Sequence, residues 1–500
     1  MNKPLEVDMQ QLSEEQFQEY YDHSADVIVF TKQYKAKNIS SPYYMQPPVD
    51  IIFLQSEAFI DNNAFKELVL PSIIETYYET GFQSIEAIEQ CPHISWFKVS
   101  SEEKPITVQK MSTLIYEGNV MCAIPKLKVI MSINIAKIPI RTPEESASEI
   151  TIRGPKDGLV EDIVTNIALL RKRVRNKHLS VESYSMGTLT ETKLALLYMD
   201  NIANSELIST VKERLDRIQV EQLITVGQLD ELISDKTYFI PTVDFSARPD
   251  FIVEALLNGR FVILLDNNPL AMIAPGNVFQ LLKSPEDSYF PLLSNNISRM
   301  FRLLSLISSI FLPGFFIAIT TFHPDQLPFT MLATISSARM GIPMEASIEM
   351  FLIIGFMEIF REASVRMPSS MSQTITVVGG LIIGEAAIRA GLVSPIITVV
   401  AAISIISGAT LVNQSLANSV VFYRFIAFVF SSILGIFGFI IAYILFILFL
   451  STVRSFGVPY LAPLSPLSLR NFIITAFQIP LRYRNTHPSY LHTKERNKDD

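Results

Sequence analysis

The pattern of apolar and polar positions divides the chain into two regimes. Up to Ser298 the apolar runs are short and broken by polar stretches; beyond Arg299 whole segments lose their charges. Leu303 to Phe322 is twenty uncharged residues, Ala390 to Tyr423 thirty-four, and Phe425 to Val453 twenty-nine. A bilayer core of about 30 Å needs roughly twenty apolar residues in a helix, so each run is long enough to span. The last, FIAFVFSSILGIFGFIIAYILFILFL, has no polar face and reads as a transmembrane helix. Met367 to Gly384 is also uncharged but opens on PSSMSQT, whose polar residues would be costly against lipid, so protein or water should surround it. Met344 to Arg366 carries charges around an eight-residue apolar centre, about 12 Å of helix. That predicts an interfacial helix, or a span shielded by neighbours and lining a polar path.

The first 298 residues predict mixed α/β structure. Val49–Ser56 (VDIIFLQS), His93–Ser100 and Lys126–Ala136 are β-rich apolar runs, and Asn63–Tyr78 has helical spacing interrupted at Pro71. A second unit starts near Thr151, where IRGPKDG marks a turn and LVEDIVTNIALLRKRVRN a helix with early acids and late bases. Further on, LTETKLALLYMDNI predicts a strand and NSELISTVKERLDRI an amphipathic helix. NGRFVILLDNNPLAMIAP predicts a hairpin turning at Asp266-Asn267-Asn268-Pro269. The expected architecture is an α+β N-terminal region of two α/β subdomains (1–150 and 151–298), an all-α polytopic membrane domain (299–453, four to six spans) and a basic tail (454–500).

Charge follows the same division. Residues 1–298 carry a net −13, 299–453 a net +1 and 454–500 a net +4. An acidic chain without a basic stripe argues against nucleic acid. Bases in the tail, with Arg299 and Arg302 before the first run, place both termini in the cytoplasm and require an even number of crossings. The N-terminus has no apolar signal region. Cys91 and Cys122 form no CxxC and the six histidines no metal spacing, so no metal or cofactor is expected. Phosphate-binding loops, HExxH and GxSxG are missing, which argues against an enzyme. The run Arg171, Lys172, Arg173, Arg175 and Lys177 allows three readings: a solvated helix end, a salt-bridged subunit contact, or an anionic-lipid patch.

Candidate functional residues concentrate in the apolar half. Glu345 and Glu349, four apart, are candidates for an ion path, since one acid per subunit around a ring makes a cation-selecting collar. Glu358, Arg361, Glu362 and Arg366 lie on another face and suit inter-helix ion pairs, as do Glu385 and Arg389. Gly380, Gly384, Ala387 and Gly391 form a small-residue stripe that would let helices approach closely. A secondary transporter is the alternative, with broken helices near Pro313-Gly314 and Gly391–Pro395.

Four blocks resemble the A subunit of the GerA-type spore germinant receptors: IRGPKDGLVEDIVTNIALLRKRVRN, ARPDFIVEALLNGRFVILLD, LPGFFIAITTFHPDQLP and RMPSSMSQTITVVGGLIIGEAAIRAGLVSP. The residues carrying the resemblance include Arg153, Gly154, Pro155, Arg248, Pro249, Asp250, Pro313, Gly314, His323, Pro324, Pro368, Ser369, Ser370 and Gln373. The resemblance implies a nutrient receptor subunit in the spore inner membrane, working beside a transporter-like B subunit and a C-subunit lipoprotein. It also implies homo-oligomers whose membrane helices form an ion pathway opened by nutrient. The chain departs from the family pattern at Asp266-Asn267-Asn268-Pro269, at Ser246-Ala247 and at the Glu385/Arg389 pair.

Overall fold

Residues 7–9, 12–35, 48–56, 59–89, 91–92, 98–100, 106–137, 151–235, 239–365, 384–465, 467–480 and 487–494 are described by the computed structural model. The chain divides into two compact units. One holds Met1–Ser234, Phe245–Pro275 and Asn485–Asp500; the other holds Asp235–Asp244 and Gly276–Arg484. The division at 150 follows a turn and those at 298 and 453 follow hydropathy, whereas proximity in space joins both α/β parts with the end of the tail.

The first unit contains two five-stranded sheets. In the first, strands β1 (Val27–Tyr34), β2 (Val49–Ser56), β3 (Lys98–Ser100), β4 (Asn119–Ile124) and β5 (Val129–Asn134) lie in the order β1-β2-β4-β5-β3, with antiparallel pairing. Alternate residues of β2 enter opposite cores. Ile51 and Phe53 join a cluster with Ile73 and Tyr77, while Ile52 and Leu54 join one with Phe17, Met111 and Ile115. Helices cover both faces, so the strand reads as a continuous apolar run rather than an alternating one. Pro71 does not break its helix. A π-turn at Phe65–Val69 passes directly into helix α1 (Leu70–Thr80), and Pro71, which has no N–H to donate, sits at that change of register. His93–Phe97 lie outside the described residues, and Lys98–Ser100 form the short β3.

The second sheet has the order β6-β7-β9-β10-β8, built from β6 (Leu179–Met186), β7 (Thr192–Met199), β8 (Asp244–Ser246), β9 (Phe261–Leu265) and β10 (Ala271–Ala274). β9 and β10 form the expected hairpin, and Asn267 turns it at φ 62°, a left-handed conformation that Asn tolerates. Helices α2 (Ile163–Arg173), α3 (Ser205–Asp216) and α4 (Pro249–Leu257) accompany it. α2 begins later than the periodicity suggests: Asp162 is its N-cap, accepting from the Thr165 N–H at 2.7 Å.

The two sheets are joined through backbone and charge. Ala25 donates to Val181 O at 2.9 Å and Val181 to His23 O at 2.8 Å. Arg171, the first base of the α2 run, is fully buried. Its guanidinium meets both oxygens of Asp26 at 3.0 Å, donates to Asn176 O at 3.1 Å and lies 4.3 Å from the Tyr116 ring centroid. Burial alone would lower its pKa; Asp26 and the neighbouring phenols outweigh that and hold it above its ordinary value. Arg173 pairs with Asp157 at 2.6 Å and Arg175 with Glu117 at 2.8 Å. The run is therefore not simply a solvated helix end, because three of its bases find acids within the same chain.

The second unit is helical. α5 (Leu292–Ile317) continues through a π-turn to Phe322, 31 residues in all, and contains Pro313. Arg299 and Arg302 on its first turns both pair with Asp287. α6 (Phe329–Ala338), α7 (Ala346–Val365), α8 (Pro395–Ala409) and α9 (Gln414–Thr452) follow. α5 with its π-turn and α9 are long and apolar enough to cross a membrane.

α9 is not one rod. Straight, its 39 residues would reach about 58 Å, nearly two bilayer cores. At Gly435 the backbone turns non-helical (φ 64°, ψ −139°), and the Tyr423 ring lies 4.9 Å from Phe446 and 5.9 Å from Phe449. Along a straight helix Tyr423 and Phe446 would be about 35 Å apart. The run read as one transmembrane helix is thus a helical hairpin with its apex at Gly435. A Cβ on Gly438 would fall 1.9 Å from Phe430 O, and one on Gly435 would fall 2.8 Å from the Phe322 ring. Only glycine permits these approaches.

Candidate functional site

The chemistry of the helical unit gathers where α5, α7, α8 and α9 meet. Proline at 313 has no N–H, so the helical bond to the Ser309 carbonyl, four residues earlier, cannot form. That carbonyl is buried among apolar side chains and needs donors. Arg424 Nε supplies one at 2.7 Å and Ser404 Oγ another at 3.0 Å. Gly314 beside it lets α9 approach: a Cβ there would lie 2.7 Å from Ser431 Oγ and 3.0 Å from Ala427 O.

Arg424 is 2% exposed. Besides Ser309 it meets Glu358 Oε1 at 2.8 Å, while Arg361 Nε meets Glu358 Oε2 at 2.7 Å. Arg361 reaches on to Asn418 Oδ1 at 3.1 Å. Gly408 leaves room for the guanidinium, since a Cβ there would sit 3.0 Å from Arg424 Nη2. One carboxylate, two guanidiniums, a freed carbonyl and a serine hydroxyl thus bind four helices into one polar knot. The periodicity argument passed over Arg424, although a lone charge between uncharged runs of thirty-four and twenty-nine residues is itself a signal.

The two ion-path candidates occupy different surroundings. Glu345 is exposed, just ahead of α7, and its carbonyl accepts the Glu349 N–H at 3.0 Å. Glu349 is fully buried within the chain. Its Oε2 accepts the N–H of Ser394, the N-cap of α8, at 2.8 Å. Arg339 Nη2 stands 3.2 Å from Oε1, close enough for an ion pair but not aligned as a hydrogen bond. Glu349 therefore fastens α7 to the start of α8, and of the two acids only Glu345 faces outward.

Other candidates take varied positions. Glu362 is exposed on α7, and Arg366 lies outside the described residues. Glu385 and Arg389 pair with each other at 2.5 Å on one exposed helical turn, not between helices. Gly380 is outside the described residues. Gly391 lies past the helix over 384–389 with φ 64°, so the small residues do not continue as one helical stripe. Among the described residues a Cβ at Gly384 or Gly391 would meet nothing within 4 Å; Ala387 is buried with Ile317 and Val393. Arg153 is exposed, and Gly154 and Pro155 are half-buried. Buried Arg248 grips Asp250 at 2.7 and 3.1 Å across Pro249, the first residue of α4. His323 Nδ1 lies 3.5 Å from Ala318 O, and Pro324 opens a 3-10 turn after α5. Pro368, Ser369, Ser370 and Gln373 lie outside the described residues.

Comparison with known proteins gives a consistent result. Spore germination protein XA of Bacillus anthracis is 38% identical over 89% of this chain and 90% of its own length. Spore germination protein KA of Bacillus subtilis is 30% identical over 87% of this chain and 79% of its own. The uncharacterized membrane protein YfkQ of Bacillus subtilis is 34% identical over 74% and 72%. Among solved structures, the N-terminal domain of the A subunit of the Bacillus megaterium spore germinant receptor GerK3 aligns with a TM-score of 0.40 at 21% identity, covering 55% of this chain and 98% of that one. The profile of the Bacillus/Clostridium GerA spore germination proteins matches residues 15–490, and the chain belongs to that family.

Proposed function

We propose that the chain is a membrane subunit of a nutrient (germinant) receptor that triggers spore germination. In this reading it acts with a transporter-like B subunit and a C-subunit lipoprotein, and copies of it assemble so that their helical units conduct ions when nutrient binds. The observation that carries it is the buried Glu358–Arg424 pair among apolar helices. Charges in such surroundings are costly, and at membrane depth they mark ion paths and moving parts.

The membrane reading draws on helix lengths. The arms of α9 on either side of Gly435 measure about 31 and 26 Å, each close to one bilayer core. Phe437, Ile433 and Leu448 on those arms are exposed apolar residues that suit lipid. In this proposal the membrane is the spore inner membrane and both termini are cytoplasmic; that the two ends share one side is supported by the tail. Lys494 donates its N–H to Ile202 O at 3.0 Å and places its ammonium 3.3 Å from Asp200, within the α/β unit.

Glu345 is the collar residue in this proposal, and Glu349 fixes α7 against α8. The test is nutrient-triggered ion flux through the whole receptor reconstituted in liposomes. Glu345→Gln is expected to lower cation-over-anion selectivity while the protein folds normally, and Glu349→Gln to reduce flux. Unchanged flux and selectivity in both variants would overturn the collar, and nutrient-triggered flux that persists in receptor reconstituted without this chain would overturn conduction by it.

A further inference from the structure

The segment Asp235–Asp244 packs in the helical unit, yet Ser234 before it and Phe245 after it belong to the α/β unit. In the helical unit it holds both feet of the α9 hairpin. At the first foot Asn413 is the N-cap of α9: its side-chain oxygen accepts the Leu416 N–H at 2.9 Å, and its amide donates to Asp244 Oδ1 at 2.7 Å. At the second foot the chain leaves α9 through a small ribbon of β11 (Arg454–Ser455) and β12 (Val458–Pro459). There Ser455 Oγ donates to Thr242 O at 2.6 Å, and the Phe456 N–H donates to Asp235 Oδ2 at 2.6 Å. The Phe239 and Phe422 rings stack at 5.3 Å, and Ile240 is buried in one cluster with Leu416, Val420 and Leu450. Gly276, where the chain next enters the helical unit, joins the same contact. Its N–H donates to Thr242 O at 2.9 Å, and a Cβ there would lie 2.6 Å from that oxygen.

A loop that only anchors needs one such contact. This one ties both ends of a single hairpin to a stretch of chain that begins and ends in the other unit. Thr242, Asp244 and Ser455 are buried, so their bonds are sheltered from water. From Asn413 the helix runs through Asn418, which accepts from Arg361, to Arg424 in the polar knot, about 16 Å along its axis. Hydrogen bonds, packed side chains and rigid helices are the parts through which distant sites are coupled. We propose that Asp235–Asp244 is a coupling segment. Through the Asp244/Asn413 and Thr242/Ser455 bonds the α/β unit sets the position of the α9 hairpin, and with it the Glu358/Arg424 pair. Asp244 and Asn413 are positioning residues in this scheme, which rests on the receptor reading above.

The test uses the whole receptor reconstituted in liposomes, with nutrient-triggered flux and melting temperature measured on the same preparations. Asn413→Asp keeps an N-cap acceptor for α9 but sets a carboxylate against Asp244, and should lower flux at saturating nutrient at least several-fold. The exchange Asp244→Asn/Asn413→Asp rebuilds the bond with donor and acceptor reversed, and should restore most of that flux. Phe239→Ala removes a ring that is 54% exposed, and decides the question if Asn413→Asp does not assemble. It should raise the nutrient concentration for half-maximal flux at an unchanged melting temperature. Unchanged responses in Asn413→Asp and Phe239→Ala would overturn the coupling and leave the receptor reading standing. Flux that falls only in step with melting temperature, in the exchange as in the single variant, would make the contacts purely structural and overturn it as well. A wild-type receptor that gives no nutrient-triggered flux would overturn the receptor reading and the coupling with it.

Discussion

Arg424 donates its Nε–H to the Ser309 carbonyl at 2.7 Å, taking the place of the backbone N–H that Pro313 lacks. The same guanidinium closes on Glu358 at 2.8 Å, so a backbone defect and a buried charge satisfy each other. Removing one partner of a buried pair costs about 3–5 kcal/mol, because the other charge is left behind. Arg424→Met should lower the melting temperature of the purified chain sharply, and Glu358→Leu/Arg424→Met should recover much of the loss. Pro313→Ala restores the local N–H and should shrink the Arg424→Met penalty, with a coupling of about 0.5–3 kcal/mol in a double-mutant cycle. Additive effects would show that the proline and the arginine are independent.

The reversal at Gly435 is open to direct chemistry. With Cys91 and Cys122 replaced by Ser and Ala, Tyr423→Cys/Phe446→Cys should cross-link within one chain with a short bis-maleimide reagent, because the native rings are 4.9 Å apart. A straight helix would hold the pair about 35 Å apart and give no intramolecular link. Gly435→Val should destabilise the protein, since a branched residue is strained at φ 64° and its Cβ meets the Phe322 ring. Phe322→Ala relieves only the contact and should rescue it in part.

Arg171 and Asp26 couple the two sheets of the α/β unit. Asp26→Asn leaves a buried guanidinium without its counter-charge and should cost about 3 kcal/mol. In hydrogen exchange on the full-length protein, the amides of Ala25 and Val181, which bond across the sheets, should lose protection before those within β9. Uniform loss of protection would mean that the ion pair acts on the whole unit rather than on this seam.

Glu182 on β6 ties the α/β unit to pH. Burial alone would raise its pKa, but Lys212 at 2.7 Å, Tyr198 at 2.5 Å and Tyr184 at 3.2 Å outweigh it and hold the carboxyl below its ordinary value of about 4.5. A lowered folded value means that the stabilisation is full above the unfolded value and is lost as pH falls through the folded one. Between pH 7 and 3, stability should therefore decline in the acid limb, and Glu182→Gln should flatten that limb while lowering stability at neutral pH.

Local order was written in the sequence. VDIIFLQS became β2 over the stated residues, and the runs at Thr192–Met199 and Phe261–Leu265 became β7 and β9, because short apolar runs and their β-rich content act over neighbouring positions. Caps such as Asp162 and Ser394 are equally local. Long uncharged runs marked the apolar helices, and four motif blocks marked the family. The tertiary structure alone decided which distant group answers each buried polar atom. Composition marks Arg171 as basic but not as the partner of Asp26, and Glu349 as acidic but not as sealed beneath Ser394. The hairpin in α9 escaped for a related reason. Its turn is one glycine inside an apolar run, with none of the polar residues that mark a turn in water, and only the contact of Tyr423 with Phe446 reveals that the chain comes back.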